Sequence, residues 1–343
     1  MKNKLLLTSA LAGVVALAGS AFAETKVSGN LEFVANGAKA VTPLASTNGE
    51  GFEENIRIDA SRDIALGKFS YGFNIENGAT EGAYMQVGNG GLVVQIGTDS
   101  FMNLSNSVIP NTGESYQTVA ANIGDLAYET SFDLGDGGAS AAAENSVARK
   151  DVFGLGISKT SGGNTVGFRY TPNTGRGNTA APGDQTNTGT STMKLMFMGD
   201  MGVPGLKIAA GYAKDEASQA NTVDGKAKTV GIAYTAGKFS AGAQRKIFEP
   251  LATTTAAQDE FKTNEFGIGY VVSDNLSVSA VYIQTDGDNA GTNFAKKETI
   301  TGLGIGYNLG GIAVELSYAD VQNVGGTNGQ DGESYQIRTV QKF

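Results

Sequence analysis

The chain has 343 residues, with 25 Lys and Arg against 34 Asp and Glu, and a net charge of −9. It contains no Cys and no His, which excludes a disulfide framework, thiol chemistry, and Ser–His or Cys–His nucleophile schemes. The acidic balance, with no Lys/Arg cluster, excludes the phosphate-binding surface that a nucleic-acid partner needs.

Met1-Lys2-Asn3-Lys4 is basic, residues 5–19 are apolar, and Ala21-Phe22-Ala23 has the small-x-small form of a cleavage site. This pattern predicts a secretory signal peptide over 1–23 and one mature domain over 24–343. The apolar run is shorter than the roughly 20 residues a spanning helix needs. Nothing after residue 23 reads as such a helix.

Strands follow. Residues 24–36 carry Val27, Leu31 and Phe33 on one face. A loop spans 37–52. In 54–62, Ile56, Ile58 and Ala60 alternate with Arg57, Asp59 and Ser61. After Leu66-Gly67-Lys68, residues 69–76 place Phe69, Tyr71, Phe73 and Ile75 opposite Ser70, Gly72, Asn74 and Glu76. This period of two is the signature of a half-buried strand. Residues 81–88 and 92–97 form a hairpin over Asn89-Gly90-Gly91, a composition suited to positive φ. Residues 98–123 lack alternation. Further hairpins are predicted at 125–133/139–147, 152–159/165–171, 192–199/206–214, 228–234/239–248, 266–272/276–284 and 301–307/312–318. A last strand starts at Glu333, so 18 candidate strands emerge.

The connections sort by parity. The set 37–52, 98–123, 172–190, 215–226, 249–261, 286–297 and 322–332 is long, and the Gly/Asn/Asp turns between are short. Two connections, near 78–80 and 148–150, break the rule. A soluble sandwich has no reason to sort its loops, whereas a membrane barrel has short turns at one end and long loops at the other. Polarity agrees. Leu303, Ile305 and Tyr307 alternate with Gly302, Gly304 and Gly306; Phe266, Ile268 and Tyr270 alternate with Glu265, Gly267 and Gly269. The second face is too small and polar for a dry core and suits a wet lumen. Tyr170, Tyr212, Tyr234, Tyr270, Tyr282, Tyr307 and Tyr318 close many strands, as an interfacial girdle would. The fold class is therefore all-β, a transmembrane antiparallel β-barrel of 16–18 strands, 18 by count.

The leader, the opening strand Thr25-Lys26-Val27-Ser28-Gly29-Asn30-Leu31-Glu32-Phe33, strands such as Gly304-Ile305-Gly306-Tyr307, and the terminal Phe343 together resemble a general Gram-negative porin, closest in style to those of alphaproteobacteria. Such porins have 16 strands, and Gln341 stands where an apolar residue is usual. The resemblance implies an outer-membrane, water-filled channel for small hydrophilic solutes and ions, assembled as a homotrimer in the lipid bilayer. It implies no cofactor, no metal and no enzymatic activity, and Phe343 as the signal read by the barrel-assembly machinery. It also implies that 98–123 folds inward as a pore-constriction loop. Asp99 and Glu114 would then face Arg57, with Asp59 and Glu76 nearby, across a field that orders water. Asp125 is a further acid near the end of that loop. Arg169, Lys194, Lys207 and Arg338 share lumen parity with Glu265 and Glu315, while Arg62 has the opposite parity and is expected near the rim. Two other readings stay open: a substrate-selective, sugar-type porin, and a non-conducting barrel serving as adhesin or surface-layer protein.

Other motifs read as structural. Gly302-x-Gly304-x-Gly306 precedes a turn rather than a helix, unlike a nucleotide loop. Asp286-Gly287-Asp288-Asn289 and Gln330-Asp331-Gly332-Glu333 lack calcium-loop spacing. Met193, Met196, Met198 and Met201 cluster, and a strand wall explains them.

Overall fold

An extended chain leaves its N–H and C=O groups unpaired, and in hydrocarbon each such group costs several kcal/mol. A closed ring of strands pairs all of them. The computed structural model describes residues 24–40, 47–76, 79–97, 108–112, 154–172, 191–216, 222–249, 252–253, 260–288 and 295–343. The predicted signal peptide and the predicted strands 125–133 and 139–147 lie outside the described residues.

The strands are β1 (Glu24–Ala40), β2 (Thr47–Ile64), β3 (Gly67–Glu76), β4 (Ala79–Asn89), β5 (Leu92–Gly97), β6 (Gly154–Ser161), β7 (Asn164–Thr171), β8 (Ser191–Gly199), β9 (Leu206–Glu216), β10 (Thr222–Val223), β11 (Gly225–Ala236), β12 (Phe239–Glu249), β13 (Ala252–Thr253), β14 (Glu260–Ser273), β15 (Leu276–Asp288), β16 (Glu298–Asn308), β17 (Ile312–Gln322) and β18 (Gly332–Lys342). Sixteen of them, all but β10 and β13, form one closed antiparallel barrel. β10 and β13 pair only with each other and tie two long connections together. The expectation of 18 wall strands is thus corrected to 16. β5 pairs directly with β6, from Leu92↔Lys159 to Gly97↔Gly154, and the ring closes with these sixteen described strands.

Short turns gather at one end of the barrel and long connections at the other. Gly90 and Gly91, with φ of 54° and 82°, turn β4 into β5, the positive pair that a two-residue hairpin with native twist requires. Both chain ends of the barrel lie at this short-turn end.

The alternation has one face out and one in. Outward residues include Val230, Ile232, Phe266, Ile268, Leu303, Ile305, Leu316 and Ile337, all exposed. Tyr234, Phe239, Tyr270, Tyr307 and Phe343 edge this apolar band at the short-turn end. Tyr170, Tyr212, Tyr282, Tyr318 and Tyr335 edge it at the other. Tyr335 and Phe343 lie about 26 Å apart along their strand at a rise near 3.3 Å per residue. At a strand tilt of about 35–45° this spans about 20 Å of height, a little less than an apolar band about 25 Å tall. Just beyond the upper tyrosines the outward face turns ionic: Lys214 meets Asp224 at 2.9 Å, and Lys262 meets Glu260 at 2.6 Å and Asp288 at 3.1 Å.

Closure joins β1 to β18, in register from Asn30↔Lys342 to Ala40↔Gly332. Phe343 extends the seam. Its N–H donates to the Gly29 carbonyl at 3.0 Å, and its carbonyl accepts from the Gly29 N–H at 3.1 Å. A Cβ on Gly29 would lie 2.7 Å from the Phe343 ring and 2.3 Å from the Asn55 carbonyl oxygen. Gln341 is outward and exposed, opposite Ile312 at the start of β17, hence near the short-turn rim. There a polar side chain costs little.

Gly29→Val should lower barrel stability by about 1–3 kcal/mol through overpacking. The check is the urea midpoint of the refolded barrel in micelles. An unchanged midpoint would show that the terminal ring does not rest on Gly29.

Candidate functional site

The interior is defined by what occupies it. Residues 108–112, from the long connection after β5, lie against the inner wall. Val108 is 2 % exposed and Ile109 is also buried. The segment rests on five consecutive strands of the ring, β11, β12, β14, β15 and β16, and on all of them but β15 it does so at glycines, where the wall has no side chain. Had Gly242 a Cβ, it would stand 1.9 Å from the Val108 carbonyl oxygen; Gly231's would stand 2.3 Å from Val108 Cγ2. Gly267's would be 2.7 Å from Ile109 Cγ2, Gly269's 3.2 Å from Pro110 Cβ, and Gly306's 2.6 Å from Thr112 Cγ2. On β15 the contact is polar: the Thr112 N–H donates to Ser279 Oγ at 2.9 Å. The expected inward course of this connection is therefore seen at its described centre. Asp99, Glu114 and Asp125 lie outside the described residues.

β4 lies eight places round the ring from β14, directly across the lumen from the segment. There β2 and β4 present a polar cluster. Arg57 Nε donates to Asp59 at 3.1 Å, its guanidinium lies 5.2 Å from the centre of the Tyr84 ring, and the Tyr84 hydroxyl donates to Asp59 Oδ1 at 2.8 Å. Gly72 lies between them in register. A Cβ there would stand 2.2 Å from Asp59 Oδ1 and 2.6 Å from the tyrosine ring. Arg57 and Asp59 stay about one-third exposed, so they meet lumen water. Parity puts both on this face. Tyr84 was missed, although its alternation with Ala83 and Met85 puts it on the same face. Glu76 ends β3 opposite Asn55, and its side chain lies outside the described residues.

The other lumen charges fall as follows. Arg169 on β7 and Lys194 on β8 are direct cross-strand partners, both buried on the inner face. Arg169 donates to the Gly97 carbonyl at 3.3 Å. Lys207, opposite Ala233, is exposed near the short-turn end. Arg338 lies at the β1–β18 seam, where it grips the Glu32 carboxylate with two nitrogens and reaches Glu315 at 3.3 Å. Arg62 is exposed. Sequence reading missed Glu32 and Lys246. Lys246 is 2 % exposed and binds Glu265, 1 % exposed, at 2.5 Å. Its signal was the inward row Ser240, Gly242, Gln244, masked by adjacent Arg245.

One expectation about the interior needs correction. The inner face is not uniformly small and polar. Phe248 pairs with Phe261, and Ile283, Ile300 and Val321 form a row across β15, β16 and β17; all are buried. This apolar patch occupies the long-loop half of the wall, above the seat of 108–112. Among the described residues no group of three or more acidic side chains could hold a metal ion. Asp286 instead meets Lys297 at 3.0 Å, and Asp331 accepts the Asn323 N–H at 2.9 Å.

Comparison with known proteins agrees with this geometry. A family model described as Gram-negative porin matches residues 8–261. The anion-selective porin of Comamonas acidovorans is 14 % identical, with a TM-score of 0.66 over 93 % of this chain and 99 % of its own. OmpT of Vibrio cholerae is 11 % identical, with a TM-score of 0.60 over 93 % and 97 %. A Rhodopseudomonas blastica porin variant is 15 % identical, with a TM-score of 0.60 over 93 % and 100 %. No curated protein matches the chain in sequence.

Lys246→Met should destabilise the barrel by about 3–5 kcal/mol, because it removes the cation paired with a buried carboxylate. The double variant Lys246→Met/Glu265→Leu should recover most of that loss. Guanidinium midpoints of the refolded variants provide the check.

Proposed function

This chain belongs to the Gram-negative porin family and is an outer-membrane β-barrel channel, and from that premise we propose how it passes solutes. Small hydrophilic molecules and ions cross by passive diffusion, filtered by size where segment 108–112 stands across from Arg57, Asp59 and Tyr84. That juxtaposition carries the reading. Arg57 supplies fixed positive charge on one wall, and Asp99 and Glu114 supply negative charge from the inward connection. Acid facing base across a narrow water path favours polar solutes that align with the field. Asp59 holds Arg57 in place, and Glu76 adds negative charge on the same wall. Arg169, Lys194, Lys207 and Arg338 set the potential along the rest of the path.

The channel has no turnover and performs no catalysis; the chain offers neither His nor Cys for it. Residues 1–23 are removed on export, and the mature domain 24–343 works as a homotrimer in the bilayer. Phe343 serves as the strand-end signal for the barrel-assembly machinery, a role consistent with its place at the seam. The sugar-selective alternative drew its hint from an 18-strand count, and a 16-strand wall removes that hint.

Refolded protein in planar bilayers should show ohmic current steps; their absence would end the channel reading. Arg57→Ser should raise the cation-to-anion permeability ratio about two- to fivefold, since one charge a few ångströms from the path is worth up to about 1 kcal/mol in water. The measurement is the reversal potential in a salt gradient, and an unmoved potential would remove Arg57 from the filter.

A further inference from the structure

Segment 108–112 narrows the lumen by as much as it stands off the wall, and that stand-off is fixed by the wall beneath it. Two neighbouring chains in a protein interior approach most closely where one of them lacks Cβ atoms. Here the backbone of Val108 itself lies over Gly242, and Val108, Ile109, Pro110 and Thr112 side-chain atoms lie over Gly231, Gly267, Gly269 and Gly306. At Gly242 the contact is with a carbonyl oxygen, which has no rotamer with which to yield. An ordinary contact at that point needs 3.4 Å or more, against the 1.9 Å available to a Cβ. The segment would have to move more than an ångström toward the pore axis. At Gly306 the contact is with a methyl group, and at Gly267 with a side-chain carbon, so those positions push less firmly.

We propose that these wall glycines, Gly242 above all, are the specificity-determining residues for pore size in this channel. The inward segment rests flush because the wall is bare beneath it. The bore is therefore set from the wall side, by residues that no solute touches. This rests on the channel reading above and goes beyond it, because it assigns the size filter to positions outside the charged constriction.

Controls exist in the same barrel. Gly51 and Gly88 are also inward by register, and a Cβ at Gly51 meets nothing within 4 Å while one at Gly88 meets only ordinary contacts from 3.7 Å. Single-channel conductance in planar bilayers should fall in Gly242→Ala and fall further in Gly242→Ala/Gly267→Ala. Entry of larger neutral sugars, followed by liposome swelling, should fall more than entry of small ones. Gly51→Ala and Gly88→Ala should conduct like wild type. Wild-type or increased conductance in Gly242→Ala overturns the proposal, while a wild-type protein that does not conduct overturns the channel reading instead.

A second test does not need the overpacked variants to fold. The chain has no Cys, so the pair Thr112→Cys and Gly306→Cys stands alone. Its Cβ atoms would fall within the 3.5–4.5 Å or so that a disulfide spans. The oxidised pair should form in the assembled barrel and conduct like the reduced form. Failure of the bond to form in a conducting barrel, or a conductance change on oxidation, would show that the conducting state does not have the segment in this seat.

Discussion

Backbone pairing around a closed ring is the constraint on which the rest of this structure depends. In hydrocarbon no water is at hand to satisfy an N–H or a carbonyl, so a sheet there must have no edge. The seam between β1 and β18 is where the ring meets this demand across the greatest sequence distance. Backbone pairs run along it, Phe343 adds two hydrogen bonds at Gly29, and on the lumen side Arg338 clamps Glu32. The same seam shows the barrel's reversed polarity: an aromatic ring outside and an ion cluster inside, the opposite of a soluble domain.

Reversed polarity changes what glycine is for. On the outer face apolar side chains meet lipid tails, which conform to them without the fixed packing that a protein interior imposes. On the inner face some residues project into water, some pack in a buried patch near the long loops, and some make room for a neighbour. Gly72 makes room for the Tyr84–Asp59 contact on one side of the lumen, and the glycines of β11, β12, β14 and β16 make room for 108–112 on the other. The lumen is therefore built of two unlike halves. One presents side chains to the path, and the other receives a piece of the chain.

Much of this was legible in the sequence, because two-residue alternation is local and survives any arrangement of the strands. Arg57, Asp59 and Arg338 were placed on the correct face by parity alone, as were the outward tyrosines. The strand count was not legible. Residues 125–133 and 139–147 alternate weakly, and alternation does not say whether a hairpin belongs to the ring; only the direct pairing of β5 with β6 decides that. The apolar inner patch was missed for a related reason. Phe248, Phe261, Ile283, Ile300 and Val321 are inward by register, yet each strand was read for the contrast between its faces rather than for its height along the barrel. The seat of 108–112 left a trace only as a short apolar run before Pro110 inside a polar connection.

That seat also orders events in time. Thr112 and the serine it bonds are 167 residues apart in sequence, and every strand that carries the segment is downstream of it. Contacts across such distances form late, because the loop-closure entropy must be met before they return anything. The piece of chain that narrows the passage is made early and must wait, unplaced, until the far side of the wall exists. A barrel caught after the wall has closed but before the segment has seated would be complete as a sheet and still wide as a pore.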